Sequence, residues 1–121
     1  MSKTELFSKF FMEFLDDLSV IRPNDSSLLW VKTAVSILDA KTLTEQFMEY
    51  VGPYKKRILA KDETFFIDEL HKEIEKESFA GREISKVRTI WLDPSTTDET
   101  KTHIWKYFIL LVKIGEDILR S

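Results

Sequence analysis

The chain has no cysteine and only three glycines and three prolines in 121 residues. The missing thiols exclude a disulfide framework, a thiolate nucleophile and any Cys-ligated zinc site, and they fit a reducing compartment. Gly52, Gly81 and Gly115 stand too far apart to build a Gly-rich phosphate loop. No stretch is long enough to cross a bilayer: the most apolar one, Ile104 to Ile114, would span roughly 16 Å as a helix against a hydrocarbon core of about 30 Å. Alternating strand patterns, Asn-Gly or Asp-Gly hairpin turns, internal repeats and low-complexity tracts are also absent. The Phe-rich N-terminal stretch is interrupted by Glu5, Glu13, Asp16 and Asp17, and no small-residue cleavage site follows. A signal peptide is therefore not expected, and a soluble intracellular protein without a transmembrane segment is.

What is present is apolar and aromatic. Hydrophobic residues make up 43% of the chain and include nine Phe and three Trp, ample material for the core of one domain covering residues 1–121. The segment from Ile104 to Ile114 is apolar almost all the way round a helix. Ile104, Phe108 and Leu111 share one side, Trp105, Ile109 and Val112 a second, and Tyr107, Leu110 and Ile114 a third, leaving a polar strip with Lys106, Lys113 and Asp117. Such a helix has to be surrounded, so the expected architecture is all-α: one compact irregular bundle of about six helices around a C-terminal hub.

The punctuation supports that reading. Ser2 and Glu5 form a capping box ahead of a helix whose broad face is Phe7, Phe10, Phe11, Phe14, Leu15, Leu18 and Ile21, ended by Pro23. Asn24 to Ser27 offer N-caps for a second helix through about Ala40, with Leu28, Val31, Ala34, Val35 and Leu38 inward and Trp30 and Ile37 off that face. Thr42 and Glu45 suggest a second capping box, opening a third helix that carries Leu43, Phe47, Tyr50 and Val51. Gly52 and Pro53 then read as a C-cap followed by a breaker. A short helical turn over Pro53 to Ala60 should bury Tyr54, Ile58 and Leu59. Asp62 caps a fourth helix with Phe66, Ile67, Leu70 and Ile74 inward and Phe65 off the stripe. Ser78 to Gly81 breaks it, and a fifth helix from about Arg82 to Trp91 groups Ile84, Val87 and Trp91 before Asp93-Pro94. Thr96 or Thr97 caps the hub, which runs to about Leu119.

Charge is uneven. Lys55, Lys56, Arg57 and Lys61 form a basic turn with no acid between Tyr50 and Ala60, whereas Asp62 to Glu77 holds seven acids against Lys72 and Lys76. A net charge of −3 with no basic face argues against general duplex binding. The basic turn could hold phosphates, anionic headgroups or an acidic partner, or its cations could pair with the acidic helix beside it. Asp68, Glu69 and His71 give half of a di-iron helical motif, but the other histidine, His103, follows Glu99 at a different spacing, so no metal is expected. Acids elsewhere stand beside lysines, as in Asp68/Lys72 and Lys113/Asp117, spacing that suits weak surface pairs. Serines and threonines mostly occupy caps. No cofactor and no catalytic residue is indicated, and the chain is not expected to be an enzyme. The surplus apolar residues Trp30, Ile37 and Phe65 either make a patch for a protein partner or self-association, or are buried by irregular packing.

Several phrases occur together: Phe11-Met-Glu-Phe-Leu-Asp-Asp-Leu with Pro23-Asn-Asp25, Tyr50-Val-Gly-Pro-Tyr-Lys, Lys61-Asp-Glu-Thr-Phe-Phe66 and Ile104-Trp-Lys-Tyr-Phe. In these the chain resembles small helical proteins of large nucleocytoplasmic DNA viruses that infect algae and amoebae. The resemblance spans most of the chain through short apolar motifs. It implies a viral origin and a virion component, a minor capsid or internal protein, and brings no catalytic residue. The expected function is a non-enzymatic helical interaction or structural module, located in host cytoplasm or virion. The alternative is a nucleic-acid-associated protein that uses the basic turn at 55–61.

Overall fold

A computed structural model describes residues 2–67 and 79–120. The described residues form helices α1 (Lys3–Ile21), α2 (Ser26–Ser36), α3 (Ala40–Val51), α4 (Lys55–Leu59), α5 (Thr64–Ile67), α6 (Phe79–Leu92) and α7 (Asp98–Arg120), with a 3-10 turn at Gly52–Tyr54 and no strand. The fold is all-α and compact. Its axis is the pair α1 and α7, against which α3 and α4 also pack, while α2 lies across α1 and α6.

Local chemistry sets the helix ends. At α1 the Ser2 hydroxyl accepts from the Glu5 amide (3.2 Å) and donates to the Glu5 carboxylate (3.0 Å), so the box closes on the hydroxyl. Helix α2 stops at Ser36, short of the expected Ala40, because Asp39 leaves the helical region to cap α3. Its carboxylate takes the Thr42 amide at 2.8 Å and the Thr42 hydroxyl at 2.9 Å. Asp39 therefore displaces Thr42 as the cap. Those two bonds hold the Asp39 carboxyl below its ordinary range.

Gly52 is the C-cap of α3, as expected, but without the left-handed conformation common there. It is right-handed helical (φ −51°), and the chain continues through Pro53, where a first-turn proline lacks an N–H that would be unpaired anyway, into α4. The left-handed residue is Lys61 (φ 54°). Its amide donates to Ile58 O (3.0 Å) and the Asp62 amide to Arg57 O (2.9 Å), the paired bonds of a Schellman ending without its usual glycine. Helix α6 runs through Gly81 instead of starting after it. Thr97 caps α7 by accepting from the Thr100 amide (3.1 Å).

The hub packs against its neighbours on the sides of Phe108 and Val112, and Tyr107, Leu110 and Ile114 of its third side are half-buried. Ile104, Trp105, Phe108, Leu111 and Val112 are buried, and Lys106, Lys113 and Asp117 are exposed. Phe108 is the junction: its ring lies 5.5 Å from Phe14, 6.2 Å from Phe47, 5.8 Å from Phe65 and 5.2 Å from Phe66. From Phe66 the aromatic cluster continues to Trp91 (4.7 Å) and Trp105 (4.8 Å). Gly115 lets α7 approach α3 and α1 closely, since a Cβ there would stand 2.6 Å from Met48 Sδ and 3.4 Å from Phe7 Cε2.

Two inward assignments change. Phe65 is fully buried with Phe66, and Ile67 is the residue turned outward. The reason is that α5 sits between neighbours on two sides. Phe65 meets Tyr54 and Phe108, while Phe66 meets Trp91 and Trp105. Leu59 is exposed, whereas Ile58 alone of α4 is fully buried. Leu70 and Ile74 lie outside the described residues, as do the Asp68/Lys72 pair and the side chain of Ile84.

Candidate functional site

Part of the apolar surface that remains lies on and just after α2, while Val20 of α1, Leu92 of α6 and Leu119 of α7 are exposed singly elsewhere. Trp30 is 39% exposed and Ile37, one residue past the helix end, 81%. The structure adds Leu29, 66% exposed, which sequence reasoning missed. The signal was the adjacent pair Leu28-Leu29: neighbours on a helix lie about 100° apart, so burying Leu28 turns Leu29 towards solvent. Phe65 does not belong to this surface, for the packing reason given above.

The polar atoms of this face are largely occupied by the helix itself. The Thr33 hydroxyl donates to Leu29 O at 2.9 Å and the Ser36 hydroxyl to Thr33 O at 2.7 Å. Charge is nearly absent too. In a chain that is 32% charged, α2 carries one charged residue, Lys32, and its ammonium is held by Asp16 at 2.7 Å. Covering the outer face of α2 would therefore strip water mainly from apolar groups and from hydroxyls already bonded, so the usual penalty for desolvating polar groups is small.

Two of the four cations of the basic turn, Lys55 and Arg57, are engaged by their own chain. Lys55 pairs with Glu116 of α7, and that ammonium is the main cause holding the Glu116 carboxyl below its ordinary range. Arg57 donates to the Thr64 hydroxyl (2.5 Å), lies 3.7 Å from Asp62 and stacks over Tyr54 at 5.8 Å. Lys56 and Lys61 are exposed. An open groove of about 470 Å³ brings Lys55 together with Lys113 and Arg120, but Glu116 and Asp117 line it as well. Asp117 pairs with Lys3 (2.8 Å), a partner that spacing along α7 had assigned to Lys113.

A third feature was not foreseen. Asp17 of α1 accepts from the Tyr107 hydroxyl at 2.9 Å and lies 2.8 Å from His103 Nε2, at the edge of a groove of about 610 Å³ between α1 and the start of α7. Burial first, then the Asp17 hydrogen bond, pushes the Tyr107 phenol up to about 12. A carboxylate that orients a histidine is half of an acid–base device, and a nucleophile has to complete it. The lining hydroxyls are engaged locally: Thr97 and Thr100 at the cap, and Thr102 with Asp98 O at 3.0 Å. The cluster is a fastening between α1 and α7. No group of three or more His, Asp or Glu suited to a metal occurs among the described residues, and Asp68, Glu69 and His71 lie outside them. No described helix is long and apolar enough to cross a membrane.

Among the described residues the geometry defines an all-α bundle in which the outer side of α2 faces solvent without charge. Compared with protein-family models, with curated proteins and with solved structures, the chain matches none.

Proposed function

We propose that this chain is a non-enzymatic helical interaction module that docks a protein partner on the outer face of α2. The observation that carries the reading is the coincidence of exposed Leu29, Trp30 and Ile37 with hydroxyls turned back onto the helix and no unpaired charge. The partner that fits is an apolar protein surface, because a charged or strongly polar one would lose its hydration there without compensation. The resemblance of the motifs to proteins of large DNA viruses supports a place for the module inside infected cells, as a minor or internal component of the particle.

The test is affinity capture from native or infected cells with the wild type and with the Leu29→Glu/Ile37→Glu double variant. A partner retained by the wild type, lost by the variant and indifferent to salt supports the reading. An unchanged set of partners overturns it. The nucleic-acid alternative would show binding that weakens steeply as ionic strength rises and that depends on Lys56 and Lys61, the two cations of the basic turn turned to solvent.

A further inference from the structure

The turn between α6 and α7 carries an exposed serine set among acids. Five hydroxyls of the chain stand three residues before a carboxylate: Ser2, Ser36, Thr42, Ser95 and Thr96. A protein kinase that selects by such acids needs the hydroxyl accessible and the carboxylates open to its own cations. Four of the five fail. Glu5 is bonded by the Ser2 hydroxyl itself, Asp39, which follows Ser36, caps α3, and Thr42 lies within α3 with its hydroxyl on Asp39. Thr96 is half-buried and donates to Ile90 O. Ser95 is exposed, lies outside any helix and is followed by two exposed acids, Asp98 and Glu99, in the first turn of α7. Helix ends fray readily, so the stretch from Asp93 to Glu99 can be laid out extended in a kinase cleft.

The same serine sits on a joint of the fold. Its hydroxyl donates to Asp93 Oδ1 (2.8 Å), as does its amide (2.9 Å), while the other carboxylate oxygen of Asp93 is held by Arg22. Arg22 directly follows α1, so this carboxylate ties the α1–α2 turn to the end of α6. We propose that Ser95 is a phosphorylation site for an acid-directed serine/threonine protein kinase, and that the phosphate draws Arg22 away from Asp93. The Ser95 oxygen attacks the γ-phosphorus of ATP. The new O–P bond replaces the one to the β,γ-bridging oxygen, ADP leaves, and the hydroxyl proton passes to the base of the kinase. The donor to Asp93 is lost, and a group of about −1.5 to −2 charge now stands against its carboxylate. Carboxylate and phosphate compete for one guanidinium, and the phosphate prevails with its larger charge and three acceptor oxygens. The pair of Asp25 with Lys86 still holds the turn to α6, so the joint loosens without opening.

The test incubates the full chain with ATP and an acid-directed serine/threonine kinase and maps the product by mass spectrometry. The result expected is a single phosphate, on Ser95. Ser95→Ala should abolish it, and the Asp98→Asn/Glu99→Gln double variant, shown to be folded by circular dichroism, should slow it at least about tenfold. The Asp93 carboxyl is held at about 2 by the Ser95 amide and hydroxyl and then by Arg22. In the phosphorylated chain NMR should find it titrating about one pH unit or more higher, because the hydroxyl donor and the cation are both withdrawn. Phosphate confined to other hydroxyls, or none incorporated, overturns the site. Incorporation at Ser95 that is as fast in the double variant overturns the reading of Asp98 and Glu99 as its recognition acids. An unmoved Asp93 titration after phosphorylation overturns the capture of Arg22. Each of these outcomes is independent of what docks on α2.

Discussion

Asp17 fastens two long helices with one carboxylate. Tyr107, which stacks on Phe14 at 5.0 Å, can donate to it only as the neutral phenol. Its pKa, raised from an ordinary 10.0 to about 12, makes its contribution to stability fully present below pH 10 and lost as pH rises through 12. Spectrophotometric titration should find one tyrosine ionising near 12, and Asp17→Asn should lower that value while burial keeps it above the ordinary one. Asp93 behaves in the opposite sense. The Ser95 amide (2.9 Å) and hydroxyl (2.8 Å), then Arg22, hold its carboxyl at about 2. Its contribution is present above the ordinary 3.8 and is lost as pH falls through 2. Asp39, Asp62, Glu116 and Asp117 are lowered as well, so the melting temperature should drop as pH falls below 3.8 towards 2. Asp93→Asn should reduce that drop. None of the tertiary pairs was legible in the chain, because Asp17 and Tyr107 are ninety positions apart and meet only once α1 lies along α7. The caps were legible in kind: each is a short polar side chain within three residues of an amide.

Among the elements, α4 ends at a cost. A left-handed residue with a Cβ is disfavoured by about 1–2 kcal/mol, and Lys61 occupies that position. Lys61→Gly should therefore stabilise the fold by about 0.5–1 kcal/mol in chemical denaturation, after the greater freedom of glycine in the unfolded chain is discounted. Gly115 is the converse case. Gly115→Val would press a branched side chain on Met48 and Phe7 and should cost about 2–3 kcal/mol. Sequence reasoning found these glycines and turns but misjudged part of their work. It placed Gly52 correctly as the C-cap of α3, but it missed the left-handed Lys61 that ends α4 and gave Gly115 no role. Both errors have one origin: backbone conformation and close approach are set by what lies across the bundle, which spacing along the chain does not carry. The same cause explains α5, where burial on two sides took in Phe65 as well as Phe66. The hub helix was legible in its packed residues, since a segment apolar on three sides has to meet several neighbours, although Tyr107, Leu110 and Ile114 of its third side are only half-buried.

At the scale of the whole molecule, the aromatic cluster holds the bundle together, and the outer side of α2 is the proposed docking face. Phe108→Ala would remove the ring at which α1, α3 and α5 meet α7 and should destabilise the protein by about 3–5 kcal/mol, read as a lower denaturation midpoint with reduced cooperativity. Leu29→Glu and Ile37→Glu should leave that midpoint almost unchanged, because both side chains are mostly in water already. A residue conspicuous for its apolarity and neutral for stability is the signature expected of a binding surface. Trp30 and Ile37 were readable from sequence because they fall off the inner stripe of α2. The basic turn was readable too, but not the capture of Lys55 by Glu116 some sixty residues away. Hydroxyl-radical footprinting of the chain, alone and in its native assembly, tests the central claim most directly. Oxidation of Leu29, Trp30 and Ile37 should fall sharply on assembly while Tyr54 and Leu59, beside the basic turn, react as before. Protection of Tyr54 and Leu59 with the α2 residues still reactive would contradict it.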